Sequence, residues 1–137
     1  MTVTSKAAAP SYAERVRIGR LKGAIYAGVA ALDLYAAGAT TLAPAGSPFP
    51  LVCGLAAVSH AAYSAIKFGL DYSPGYLYFF EFKDRNPADR LAGLGHAITA
   101  LGFVGLAAGM GGLALPVVIL GEVAAITGDW FSSQLRK

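Results

Sequence analysis

The sequence predicts an all-α integral membrane protein: a four-helix transmembrane bundle of two antiparallel hairpins, both termini on the cytoplasmic or equivalent side. Three observations lead there. Four apolar segments, at about 21–43, 50–70, 91–109 and 113–131, take up most of the 137 residues. Each is close to the ~20 residues that cross a hydrocarbon core as a helix. Hydrophobic residues make up 55% of the chain and charged residues 14%, with mean hydropathy +0.54, whereas soluble domains carry about 25% charged residues. Basic residues gather in three places: Lys6, Arg15, Arg17, Arg20 and Lys22 around the start of the first segment, Lys83, Arg85 and Arg90 between the second and third, and Arg136 with Lys137 at the end. The connections at 44–50 and 110–112 carry no charge, so an even number of spans satisfies the positive-inside bias of every loop.

Residues 1–20 read as a basic tail with a short interfacial helix from Ser11 onward, and 132–137 as a C-terminal tail. In the first span Tyr26, Ala30, Asp33, Ala37 and Thr40 recur at three- and four-residue steps, which puts them on one stripe facing protein. The second span repeats the pattern with Cys53, Ala57, His60, Ser64 and Lys67, flanked by Tyr63, and leaves Val52, Leu55, Val58 and Ile66 for lipid. The connection at 71–90 is crowded with Tyr72, Tyr76, Tyr78, Phe79, Phe80 and Phe82, a composition that suits the membrane–water interface. Gly105 and Gly109 in the third span make a GxxxG pair suited to close helix approach. In the fourth, Pro116 falls in the first turn, and Glu122, Ile126 and Asp129 align below it. Cys53, the lone cysteine, has no disulfide partner and reads as a packing residue.

Function has to be sought among the ionisable groups inside apolar runs, because such groups are costly in lipid. Asp33, His60, Glu122 and His96 are those groups. With a rise of 1.5 Å per residue, counted from the inner end of each span, Asp33 lies ~18 Å deep, His60 ~15 Å, Glu122 ~14 Å and His96 ~9 Å. Asp33, Glu122 and Tyr63 are thus the expected proton relay or polar core, and His60 and His96 the expected cofactor ligands. Lys67 and Asp129 share a shallow depth and are expected to pair. No metal site is expected, since the Glu-x-x-His pairs of di-iron bundles are missing and the two histidines differ in depth by about 6 Å. The same difference implies that any tetrapyrrole on His60 takes its second ligand from a partner subunit or has none.

The stretch HAAYSAIKFGLDY at 60–72 resembles the small membrane-anchor subunit of succinate dehydrogenases, in which a transmembrane histidine ligates haem and an Asp-Tyr pair lies by the quinone site. The resemblance implies a haem on His60 and a quinone contact at Tyr72. Sequence signatures of phosphate-binding loops, dinucleotide folds, serine hydrolases and zinc proteases are missing. A nucleic-acid partner is not expected, because Glu81, Asp84 and Asp89 interrupt the basic loop and the +3 net charge is a topology signal. The leading expectation is an accessory or anchor subunit of a larger membrane complex, with the bilayer and other membrane subunits or further copies as partners. A proton-coupled transporter using Asp33 or Glu122 is the first alternative, and a membrane enzyme acting on a lipid or isoprenoid the second.

Overall fold

The computed structural model describes residues 11–44, 46–68 and 86–135, which form four helices and no strand: α1 (Tyr12–Leu42), α2 (Phe49–Phe68), α3 (Pro87–Ala107) and α4 (Gly111–Leu135). All four are long and apolar enough to cross a bilayer. Tyr72 and the aromatic run around it lie outside the described residues.

Local capping chemistry sets two helix starts earlier than hydropathy alone suggests. Ser11 caps α1: its hydroxyl accepts the Glu14 N–H, and the Glu14 carboxylate accepts the Ser11 N–H, a reciprocal box that satisfies two otherwise unpaired donors. The helix read from Ser11 and the first span are therefore one continuous helix of 31 residues. Asn86 caps α3, Pro87 fills its first turn, and Asp89 closes a second capping box. That start adds four residues ahead of the apolar run at 91.

The bundle is packed inside out relative to a water-soluble one. Leu32, Tyr35, Leu55, Val58, Leu101, Leu113 and Leu120 face outward, while among the described residues the large, fully buried apolar side chains are only Phe103, Leu106 and Val118. Small residues fill the rest of the interior, as expected where lipid supplies no hydrophobic drive and backbones must approach closely. A Cβ at Gly95, Gly102, Gly121 or Gly128 would run into the backbone of Ala125, Val118, Thr99 or Ala92. These contacts descend along α4 as they ascend along α3. Of the GxxxG pair, Gly105 packs against Ala114, but Gly109 sits in the α3–α4 turn at φ 82° with nothing near it. Its role is the left-handed backbone that glycine adopts without strain.

α3 packs most closely on α4 and on α2, and α1 leans more on α4 than on α2. Two glycines explain the second preference: Gly23 lies under the Trp130 ring and Gly111 against Thr41. At one end of the bundle Ala37, Cys53, Ala57, Phe103, Leu106, Ala114 and Val118 form a wholly apolar cluster. The buried ionisable residues lie outside this cluster, among the small ones.

Candidate functional site

The stripe on α2 is buried along its length, from Cys53 through Ala57, His60 and Ser64 to Lys67. On α1, Ala30 and Ala37 are buried and Asp33 is partly so; on α4, Glu122 and Asp129 are buried. These faces converge, and α3 inserts His96 between them.

The result is a continuous chain of polar contacts. His60 Nε2 lies 2.9 Å from Asp33 Oδ2, and His60 Nδ1 lies 2.9 Å from His96 Nδ1. His96 Nε2 in turn lies 3.2 Å from Asp129 Oδ2. Lys67 Nζ joins Asp129 Oδ1 at 2.7 Å and Asp89 Oδ1 at 3.1 Å, and the Ser132 hydroxyl donates to Asp89 Oδ1 at 2.6 Å. Aromatic rings wall the histidines in. Phe103 stacks on His60 with centroids 5.9 Å apart, and Tyr63 meets His96 edge-on at 4.6 Å. The Tyr63 hydroxyl is hydrogen-bonded to that of Tyr26, and Ser64 fixes α2 to α3 by donating to the Gly93 carbonyl at 2.7 Å.

His96 is not shallower than His60, contrary to the depth count from sequence. The early capped start of α3 at Pro87 supplies four residues, or ~6 Å of helix, that hydropathy does not register. The two imidazoles therefore meet, with centroids 5.1 Å apart. Asp89 also differs from its expected place in an exposed loop: it is fully buried in the first turn of α3, facing Lys67. The expected Lys67–Asp129 pair forms, with Asp89 as a third member.

Every ring nitrogen of His60 and His96 is in contact within this chain, and the rings are too close to admit a macrocycle between them. The two do not ligate one haem from opposite sides in this arrangement. Tyr72, the expected quinone contact, lies outside the described residues.

Charge can be counted from the hydrogen bonds. Ionised Asp33 and Asp129 only accept, so both Nε2 atoms carry protons; the facing Nδ1 atoms hold one proton between them. The histidine pair then bears one positive charge. With Lys67 it balances Asp89 and Asp129, which leaves Asp33 and Glu122 without a compensating cation. Glu122 Oε1 is buried with no hydrogen-bond partner, 3.6 Å from His60 Nε2. Thr99 Oγ1, one turn beyond His96, likewise lacks a well-formed hydrogen bond, and it and Asp33 lie against the Glu122 carboxyl. In the comparisons with known proteins no family model matches the chain, and neither does a curated protein or a solved structure.

Proposed function

We propose that this chain is an integral membrane protein, folded as two antiparallel hairpins with both termini on the cytoplasmic or equivalent side, that moves protons within the bilayer as part of a small proton-coupled transporter. The observation that supports this reading is the buried series Asp33, His60, His96, Asp129, Lys67, Asp89 and Ser132, each member in contact with the next. Intramembrane ionisable residues are costly and mark ion or proton pathways. Two imidazoles joined through Nδ1 suit such a pathway. In the charged pair the shared Nδ1 proton crosses from His96 to His60, and His60 Nε2 then releases its own proton to Asp33 or Glu122. That release leaves each ring neutral with one proton, and a further proton arriving from the Asp129 side restores the charge. Beyond Glu122 the apolar cluster around Phe103, Leu106 and Val118 stops the series, whose other end lies where α2 finishes and α3 begins.

Charge displacement tests this without knowledge of the solute. Proteoliposomes adsorbed on a solid-supported membrane and given a pH step should show a transient current that His96→Gln largely removes. A wild-type trace identical to that of empty liposomes, with helicity intact by circular dichroism, would overturn the reading.

A second reading, an accessory or anchor subunit of a larger membrane complex, is favoured by a groove of about 550 Å³ on the outer face of α2 and α3. Ala57, Ala61, Ala65, Ala97 and Ala100 line most of it, and small residues of this kind let a neighbouring transmembrane helix approach. Native gels after gentle extraction separate the two readings: an assembly with other subunits supports the second, and a free monomer or homodimer speaks against it.

A further inference from the structure

We infer that Asp33, His60 and Glu122 form a binding site for one divalent transition-metal ion. This deepens the proton-transport reading by naming a class of solute, and its test succeeds or fails independently of the charge-displacement measurement.

Geometry comes first. One ligand atom from each residue lies within 4.8 Å of the other two, with His60 Nε2 2.9 Å from Asp33 Oδ2 and 3.6 Å from Glu122 Oε1. Metal–ligand bonds of about 2.0–2.2 Å in a tetrahedral arrangement hold ligand atoms roughly 3.3–3.5 Å apart. Two of the separations straddle that value, and the third, between the Asp33 and Glu122 carboxylates, lies within 4.8 Å, so the two carboxylates must draw together by up to about an ångström to share one centre.

The second observation is the orphaned oxygen. Glu122 is 4% exposed, and its Oε1, 3.6 Å from His60 Nε2, makes no well-formed hydrogen bond, although the Thr99 and Asp33 side chains lie against the same carboxyl. A buried polar atom left unpaired requires an explanation, and an ion is one. Charge provides a third. Asp33 and Glu122 are the carboxylates for which the hydrogen-bond count leaves no cation, and a divalent ion brings two positive charges to them; because one proton leaves on binding, the negative excess of the buried group falls from two charges to one. When the ion binds, His60 Nε2 gives up its proton to solvent and becomes the ligand.

The surrounding contacts set the tautomer that a metal needs. With Nε2 committed to the ion, His60 Nδ1–H donates to His96 Nδ1, and His96 Nε2–H donates to Asp129. A metal-bound histidine commonly donates its other N–H in this way, which orients the ring and raises its basicity. His96 and Asp129 are therefore positioning residues. Ligand chemistry narrows the ion: one imidazole with two carboxylates suits zinc, manganese or ferrous iron, whereas copper(I) asks for sulfur, and calcium and magnesium for an all-oxygen shell. Three protein ligands leave a coordination position open, as a site that must release its ion requires.

Cobalt(II) is the probe, because its visible d–d bands report coordination. Titrating untagged, detergent-purified protein with Co²⁺ should build a band that saturates at one equivalent per chain and is bleached by Zn²⁺. Asp33→Asn and Glu122→Gln, both close in shape to the native residues, should each weaken binding by at least about tenfold. His60→Gln should eliminate the band, and Cys53→Ala should leave it unchanged. If His60→Gln fails to fold, the two carboxylate variants decide, with circular dichroism as the check on each. No band at millimolar Co²⁺, or equal affinity in wild type and both carboxylate variants, would overturn the assignment.

Discussion

Lys67 is 4% exposed and held between two buried carboxylates, Asp89 and Asp129. Its position also suits the backbone: it lies in the last turn of α2 and Asp89 in the first turn of α3, where cation and anion complement the helix dipoles. Truncating one member of such a group leaves the others charged and unpaired. Lys67→Met should therefore destabilise the bundle by ~3–5 kcal/mol, read as a lowered unfolding midpoint in detergent, while a change below 1 kcal/mol would mean that Asp89 and Asp129 take up protons instead. Asp33, His60 and Glu122 stand out in the sequence because each interrupts an apolar run. Asp89 does not, since it falls before the third run, and only the Asn86-Pro87-x-Asp89 capping signal shows that it begins a helix. The meeting of His60 with His96 was hidden by the same four residues.

At the scale of elements, stripes were legible and close approaches were not. The three- and four-residue spacing of Cys53, Ala57, His60, Ser64 and Lys67 identifies the buried face of α2 residue for residue. The GxxxG pattern, by contrast, points to Gly109, which belongs to a turn. The glycines that seat α3 on α4 recur seven residues apart, Gly95 with Gly102 and Gly121 with Gly128, and a sequence alone does not say which of many glycines face a partner backbone. The distinction can be measured. Gly121→Ala drives a methyl into the Thr99 backbone and should cost about 1–3 kcal/mol as overpacking does. Gly28→Ala, where nothing lies within 4 Å, should instead stabilise α1 by roughly 0.5–1 kcal/mol through helix propensity. Equal effects of the two substitutions on the unfolding midpoint would show that the α3–α4 interface is looser than this packing requires.

For the whole molecule, polarity is divided along the bundle axis. The apolar cluster around Phe103 fills one end, and the ion-paired group of Lys67, Asp89 and Asp129 lies toward the other, the end at which α2 finishes and α3 begins. If basic residues set orientation, that end faces the cytoplasm or its equivalent, and in the proposed transport protons would enter the series from there. Single cysteines in a Cys53→Ala background test this with a membrane-impermeant maleimide. Lys6→Cys and Lys137→Cys should label from the same side of sealed vesicles, and Ser47→Cys and Gly112→Cys from the opposite side. Native Cys53, fully buried within the apolar cluster, should resist the reagent from both sides. Labelling of Lys6→Cys and Lys137→Cys from opposite sides would rule out an even number of spans. Labelling of Cys53 from the side of Ser47 would show that the apolar end opens, the motion a transporter needs in order to expose Asp33, His60 and Glu122 to the second face.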